Sequence, residues 1–265
     1  MSVLETKDLT KRFGDKVAVR GLCLTVEEEE IFGLLGPNGA GKTTAIKMLT
    51  TLLPPSGGSA SVGGYDVHRQ ASEVRRVIGY VPQLLSADGA LTGFENLLIF
   101  AKLYDIPRSG REGRIREALA LMGLSDAADR LVRTYSGGMI RRLEIAQSML
   151  HRPKVLFLDE PTVGLDPVAR DAVWERLGQL RDQYGTTIFL TTHYMEEADS
   201  LCGRVAILHL GEVVALGSPA DLKGALGGDG VSLDDVFAHF AGADLESGGN
   251  YREISRTRRT ARRLG

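Results

Sequence analysis

Long apolar runs and targeting signals are missing from this 265-residue sequence. No apolar run approaches the roughly 20 residues that an α-helix needs to cross a bilayer. Residues 1–12 also lack the apolar core of a secretory signal peptide. These absences predict a soluble protein made in the cytoplasm, without a membrane-spanning segment of its own.

The sequence also contains few cysteines and has no excess of positive charge. The only cysteines, Cys23 and Cys202, do not show the spacing of metal ligands, and we interpret both as reduced, half-buried thiols. The formal net charge of −2 argues against a general nucleic-acid-binding role, so no nucleic-acid partner is expected. The sequence contains no internal repeat.

Apolar residues, in contrast, are plentiful at 43% of the chain, enough for one large domain or two small lobes. Residues 2–35 are rich in strand patterns, and residues 84–150 show mainly helical periodicity. From residue 155 onward strands and helices alternate, which predicts a parallel sheet covered on both faces. Beyond about Gly217, predicted strands and helices become sparse. The predicted strands are 3–10, 16–26, 31–35, 58–62, 77–81, 155–158, 187–191, 205–210 and 212–215; a helix carries Val173, Leu177, Leu180 and Tyr184, and a short one covers 233–240.

Residues 36–44 carry the most informative motif of the chain, a match to the pattern GxxxxGK[ST]. The loop follows an apolar strand pattern and precedes a helical one, as a phosphate-binding loop must. Glycines let backbone N–H groups approach phosphate oxygens, and the helix N-terminus adds the positive end of its dipole. The motif predicts a nucleoside triphosphate site, formed by Gly36, Pro37, Asn38, Gly39, Ala40, Gly41, Lys42, Thr43 and Thr44.

Two side chains of this loop have predicted chemical roles. Lys42 can reach the β- and γ-phosphates, and the hydroxyl of Thr43 can ligate Mg²⁺. Farther along, Asp159 and Glu160 follow a buried strand, at the sheet edge where ligands of parallel sheets bind. Asp159 can hold Mg²⁺ through its water shell, and Glu160 can accept a proton from an attacking water.

The segment 135–139, Tyr-Ser-Gly-Gly-Met, precedes a helix pattern. Ser136 is a natural N-cap, and the glycine pair lets a phosphate approach the helix N-terminus closely. Taken alone, the segment is also typical of an ordinary helix start. Beside a phosphate-binding loop, it suggests a nucleotide held between two surfaces.

The order of the phosphate-binding loop, Gln83, segment 135–139, Asp159-Glu160, Leu165-Asp166 and His193 resembles the ATP-binding cassette (ABC) ATPase family. It is similar to a free-standing nucleotide-binding subunit of a transporter, over about residues 2–220. The resemblance implies an α/β P-loop NTPase fold with a RecA-like core, an antiparallel β subdomain and a helical signature subdomain at about 84–150. The implied domains are 1–220 for ATP binding, 221–250 as an extension with a short helix, and 251–265 as a basic tail.

The same resemblance implies a head-to-tail homodimer that binds ATP and Mg²⁺. Ser136 and Gly138 of one copy would contact the γ-phosphate held by the other. Gln83 would sense Mg²⁺ and the attacking water, beside Thr43 and Asp159, and Asp166 would connect the two sites. His193 would contact the γ-phosphate and hold the geometry for Glu160, Lys42 and Gln83.

Phe13 matches the aromatic residue that stacks on adenine in this family. An ordinary core role is the alternative, because a phenylalanine in a β-rich lobe is commonly buried.

Tyr135 and Met139 depart from the family pattern Leu-Ser-Gly-Gly-Gln. With the runs 141–146 and 91–97, they resemble bacterial drug, antibiotic and polyketide exporters of the daunorubicin-resistance type. This implies a separate transmembrane permease subunit and a peripheral location on the cytoplasmic face of the membrane. A non-transport ABC ATPase of translation or DNA repair, and a regulatory module without turnover, are the alternatives.

Residues 251–265 contain six arginines and one glutamate. A solvated disordered tail, attraction to anionic lipid of the cytoplasmic leaflet, and contact with nucleic acid or an acidic partner all fit this composition.

Overall fold

A computed structural model describes residues 1–228 and 230–241 of the chain. The predicted tail 251–265, and residues 229 and 242–250 of the predicted extension 221–250, lie outside the described residues. The strands are β1 Ser2–Phe13, β2 Lys16–Glu27, β3 Ile31–Leu35, β4 Gly57–Val62, β5 Tyr65–Asp66, β6 Ile78–Val81, β7 Val155–Asp159, β8 Thr187–Thr192, β9 Arg204–His209 and β10 Glu212–Gly217. The helices are α1 Lys42–Leu49, α2 Ala71–Val77, α3 Gly93–Leu103, α4 Arg108–Leu121, α5 Gly137–Met149, α6 Pro167–Tyr184, α7 Met195–Leu201, α8 Pro219–Gly224 and α9 Leu233–Phe240.

The central sheet has the strand order β10-β9-β3-β8-β7-β6. All neighbouring strands in it are parallel except β10, which pairs with β9 as an antiparallel edge. Strands β3, β7 and β8 are buried along their whole length, because helices and a second sheet cover both faces. The predicted two-sided parallel sheet is confirmed.

The second sheet has the order β2-β1-β4-β5 and is antiparallel throughout. It packs over α1 and one face of the central sheet. The alternation of side chains along β3 shows this division: Phe32 and Leu34 join the core shared with the antiparallel sheet, whereas Ile31 and Leu35 face the helices on the other side. The predicted antiparallel β subdomain is therefore present.

Helices α3, α4 and α5 occupy the predicted helical region between β6 and β7. They pack through Leu97, Ile115, Leu119 and Leu143, all almost fully buried. None of the helices within the described residues is both long and apolar enough to cross a bilayer.

Several predicted details are wrong. The sequence pattern predicts that strands 58–62 and 77–81 flank the turn at Gly63-Gly64, but strand 77–81 is β6 and pairs with β7 in the central sheet. Helices α2 and α8 were not predicted, and α8 lies where structure was expected to thin. The cysteines are not half-buried, since Cys23 is exposed and Cys202 is buried; burial raises the pKa of the Cys202 thiol.

Candidate nucleotide site

The central sheet places four separate chain segments at one edge. Strands β3, β6, β7 and β8 are parallel, so the residues that follow each strand emerge together. The phosphate-binding loop follows β3, Gln83 follows β6, Glu160 follows β7, and His193 follows β8. Residues far apart in sequence therefore meet at the carboxyl edge of the sheet.

The phosphate-binding loop ends at an uncapped helix. Gly41 is the N-cap of α1 with φ 111°, and no side chain caps the first turn, which also contains no acidic residue. A Cβ at Gly41 would lie 2.4 Å from the carbonyl oxygen of Ala18, so only glycine fits. The N-terminus of α1 thus presents backbone N–H groups and a positive dipole end, which suits a phosphate group.

The carboxylate of Glu160 is the centre of the site. Its Oε1 lies 3.1 Å from Nζ of Lys42. Its Oε2 accepts a hydrogen bond from Nε2 of Gln83 at 3.3 Å and lies 3.1 Å from Nδ1 of His193. The four residues predicted to be catalytic are therefore in direct contact.

Burial and backbone geometry make this cluster unusual. Lys42 and Glu160 are each only 5% exposed. Lys42 also donates to the carbonyl oxygens of Gly36 and Pro37, at 2.8 and 3.2 Å. Glu160 has φ 49°, and its N–H donates to Oγ1 and O of Thr191. Such a left-handed conformation costs about 1 kcal/mol or more in a residue with a side chain, and it is typical of functional sites.

Asp159 and Thr43 place two oxygen ligands side by side. Oγ1 of Thr43 donates to Oδ1 of Asp159 at 3.2 Å, and Oγ1 of Thr191 donates to the same atom at 2.6 Å. Burial, with the charge of Asp159, raises the pKa of nearby Tyr80 to about 12. Hydroxyl and carboxylate oxygens are the ligands that Mg²⁺ prefers, so these residues fit a magnesium ion. Gln83, the third predicted ligand, contacts Glu160 in this arrangement.

The signature segment stands apart from this cluster. Ser136 is the N-cap of α5 and accepts a hydrogen bond from the N–H of Met139, as its sequence position predicts. Gly138 packs against α6, since a Cβ there would lie 2.7 Å from Cβ of Ala169. Within the described residues, no hydrogen bond or ion pair joins Ser136 or Gly138 to the phosphate-binding loop.

Phe13 lies at the end of β1 and is 49% exposed. Its ring lies 5.2 Å from Nζ of Lys11. The alternative of an ordinary core residue is therefore wrong, and stacking on adenine stays a prediction.

Three groups of polar residues near the site have functional contacts that were not predicted from the sequence. Thr191 contacts both Asp159 and the N–H of Glu160; its position at the end of a strand was the available signal. Arg141 and Glu144 form a buried ion pair in α5. Glu197 accepts hydrogen bonds from Thr162 and Trp174. Arg141 and Glu144 belong to the run 141–146, which resembles the exporter subgroup but gives no sign of an ion pair, and no local motif marks Glu197.

A phosphate-binding loop at the carboxyl edge of a parallel sheet, with a buried carboxylate after the neighbouring strand, is the arrangement of P-loop nucleotide-hydrolysing proteins. A family model described as "ABC transporter" matches residues 19–163. The chain belongs to the ABC transporter family, as an ATP-binding subunit of the kind in which ATP hydrolysis is coupled to transport.

The similarity to individual relatives extends beyond residues 19–163. The daunorubicin resistance ATP-binding protein DrrA2 of Streptomyces coeruleorubidus is 48% identical, over 85% of this chain and 70% of the relative. The linearmycin resistance ATP-binding protein LnrL of Bacillus subtilis is 40% identical, over 86% and 73%. A solved ATP-binding subunit of an ABC transporter is 31% identical with a TM-score of 0.79, covering 90% of this chain and 99% of that one. The cbiO1 protein of Clostridium perfringens, part of the transporter complex cbiONQ, is 25% identical with a TM-score of 0.78, over 90% and 95%.

Proposed function

We propose that this chain hydrolyses Mg-ATP at the Glu160 site and thereby drives export of a hydrophobic, drug-like small molecule through a separate membrane subunit. The convergence of Lys42, Gln83 and His193 on the buried carboxylate of Glu160 carries the proposal. A buried carboxylate held in place by Lys42, Gln83 and His193 is a suitable general base for an attacking water.

Each residue of the cluster has a distinct proposed task. Lys42 binds the β- and γ-phosphate oxygens and balances their charge. Glu160 accepts the proton of the attacking water, while His193 and Gln83 hold the carboxylate and the water in line. Thr43 and Asp159 would hold Mg²⁺, which supplies charge neutralisation at the phosphates when bound. Phe13, exposed at the end of β1, would stack on adenine.

A second copy of the chain would complete the site. Ser136 and Gly138 lie at the N-terminus of α5, where a helix dipole favours an anion. Among the described residues, no hydrogen bond or ion pair joins them to the phosphate-binding loop of their own copy. A head-to-tail homodimer would bring this helix end to the γ-phosphate of the partner's nucleotide. Closure on ATP and reopening after hydrolysis would supply the motion that a transporter uses.

Exposed apolar side chains support contact with a membrane subunit. Leu84 and Leu85, next to Gln83, and Leu103 on α3 are 81%, 51% and 69% exposed. Exposed apolar residues such as Leu84 and Leu85, next to a functional segment, are typical of interaction surfaces. The names of the relatives, which refer to drug and antibiotic resistance, favour an exporter over a translation, repair or regulatory protein. The subunit would then lie on the cytoplasmic face of the membrane.

The variant Glu160→Gln tests the proposal. The amide keeps the shape of the side chain but cannot accept a proton, so turnover should fall about 10²- to 10⁴-fold while ATP binding persists. The trapped Mg-ATP state should be dimeric by light scattering. Phosphate release and nucleotide affinity are measured together on the folded protein.

The matched control is Glu175→Gln. Glu175 is an exposed residue of α6, so this variant should hydrolyse ATP like the wild type. A Glu160→Gln protein that turns over ATP at the wild-type rate and stays monomeric with Mg-ATP would refute the role of Glu160.

A further inference from the structure

A buried ion pair in α5 forms hydrogen bonds with the segment that contains Gln83. Arg141 and Glu144 lie one turn apart, with Nη1 of Arg141 3.1 Å from Oε2 of Glu144 and side chains 3% and 2% exposed. The pair lies beyond the signature segment, on the same helix. Burying two charges requires that both find hydrogen-bonding partners, so the other contacts of the pair are informative.

Those partners are backbone groups of residues 82–86. Arg141 donates to the carbonyl oxygens of Pro82 and Gln83, at 2.7 Å each. Glu144 accepts through Oε1 from the N–H of Ser86 and from its hydroxyl. The segment Gln83–Ser86 is itself exposed, so these contacts replace the packing that would otherwise fix it. The ion pair therefore sets the path of the backbone on both sides of the Gln83 side chain.

A second contact, one turn farther along α5, also connects this helix to the segment after Gln83. Gln147, one turn after Glu144, donates to Oδ1 of Asn96 at 3.4 Å. Asn96 in turn accepts from the N–H of Asp88 and donates to its carbonyl oxygen, at 3.0 and 2.9 Å. The segment 82–88 is thus attached to α5 at both ends. Because Ser136 is the N-cap of the same helix, Gln83 and Ser136 belong to one connected unit.

We infer that Arg141 and Glu144 are positioning residues that hold Gln83 within hydrogen-bonding distance of Glu160 and make that contact depend on the position of α5. This inference rests on the proposed function, in which Gln83 and Glu160 act on the attacking water. Displacing α5 displaces residues 82–86 with it, so the Gln83–Glu160 contact forms only when the signature helix is correctly placed. The Arg141–Glu144 pair thus acts as a clamp, which couples the signature segment to the Glu160 site within one copy.

Arg141→Lys is the first test, because an ammonium group keeps the charge but cannot bridge two carbonyl oxygens and a carboxylate in one plane. We expect kcat for Mg-ATP to fall about tenfold to a hundredfold, as for a misplaced reacting geometry, with KM changed less than about threefold. Arg142→Lys is the matched control, since Arg142 donates instead to the carbonyl oxygen of Met122 and should keep kcat. An unchanged kcat in Arg141→Lys would overturn the inference.

A double-mutant cycle with Gln83→Ala separates positioning from general structural damage. If Arg141 acts through Gln83, Arg141→Lys should lower kcat by less than about twofold once Gln83 is absent. An equal loss in both backgrounds would show that Arg141 does not act through Gln83. Hydrogen exchange gives a readout without turnover: the peptide containing Ser86 should exchange faster in Arg141→Lys and not in Arg142→Lys.

Folding is controlled with the double variant Arg141→Met, Glu144→Met, which leaves no unpaired buried charge. It should keep a wild-type melting temperature and show the reduced kcat; full kcat in this folded variant would overturn the inference. A wild-type protein without Mg-dependent turnover would instead refute the proposed function. Wild-type turnover that Glu160→Gln abolishes and Arg141→Lys leaves intact refutes only the positioning role.

Discussion

Glu197 is a buried carboxylate that the hydrolytic cluster does not use. It is 1% exposed, and its Oε1 accepts from Oγ1 of Thr162 and Nε1 of Trp174, at 2.9 and 3.0 Å. Its Oε2 has no hydrogen-bond partner in the described part of the chain. Burial raises the pKa of Glu197 above the ordinary value of 4.5, although the hydrogen bonds from Trp174 and Thr162 oppose the increase.

The raised pKa has a definite consequence for stability. The folded state binds this proton more tightly than the unfolded state does, so the contribution of Glu197 is largest at low pH. It is lost as pH rises from about 4.5 through the folded pKa. At pH 7.5, well above the ordinary pKa, burial of this carboxyl group therefore costs stability.

Glu197→Gln should remove this cost, because the amide oxygen still accepts from Thr162 and Trp174 and no charge is buried. We expect the variant to equal the wild type near pH 3.5, below the ordinary pKa, and to exceed its free energy of unfolding by about 1 kcal/mol at pH 7.5. Urea unfolding at both pH values measures this, with Glu175→Gln as an exposed control. A variant less stable than the wild type by the same amount at both pH values would contradict the assignment.

Individual residues were predictable where a local motif defines them. Lys42, Thr43 and Glu160 follow from short patterns next to strands. Thr191 and Glu197 could not be found this way, because their partners are set by how β7, β8 and α7 pack together. A single polar residue in a strand or helix carries no record of which distant group it contacts.

A tyrosine just before the signature helix α5 lies close to the start of α3. Tyr135, just before α5, donates its hydroxyl to the carbonyl oxygen of Ala127 at 2.6 Å. Its Oη would lie 2.3 Å from a Cβ placed on Gly93, the first residue of α3. The aromatic residue that distinguishes this signature segment from the family pattern therefore requires a glycine at position 93.

Gly93→Ala should lower the free energy of unfolding by about 1–3 kcal/mol, the usual cost of overpacking. Tyr135→Phe removes the clashing oxygen, so the double variant should be more stable than the sum of the two single changes predicts, by about 0.5 kcal/mol or more. Denaturant unfolding of all four proteins gives this coupling energy. Gly110→Ala on α4, where nothing lies within 4 Å of the added Cβ, is the control and should be neutral or stabilising. Additive effects of Gly93→Ala and Tyr135→Phe would contradict the contact.

Elements with strong periodicity were predictable, and short ones were not. The buried strands β3, β7 and β8 and the long helix α6 match their predicted positions. Helix α2 has no side-chain cap, so its start carries no signal, whereas Ser218 and Pro219 at the start of α8 are a cap signal that was overlooked. The apolar pattern of β6 predicts a strand but cannot choose between two sheets.

At the scale of the whole molecule, one copy contains two separate parts of the proposed nucleotide site. The phosphate-binding loop and the Glu160 cluster lie at the edge of the central sheet, and the signature segment caps α5. The clamp formed by Arg141 and Glu144 connects the two halves through residues 82–86. Fold class and family were predictable from the ordered motifs, whereas this connection depends on tertiary contacts and was visible only in the structure.

The central claim is that Lys42 and Glu160 form one ATP-hydrolysing site. Magnesium-dependent phosphate release from ATP by wild type, Lys42→Ala and Lys47→Ala tests it most directly. Lys47 lies on the same helix but is exposed, so its variant should hydrolyse ATP like the wild type. Lys42→Ala removes the cation at the phosphates and should lose at least about a hundredfold in turnover, with its fold checked by circular dichroism. A folded Lys42→Ala protein that releases phosphate as fast as Lys47→Ala would contradict the account.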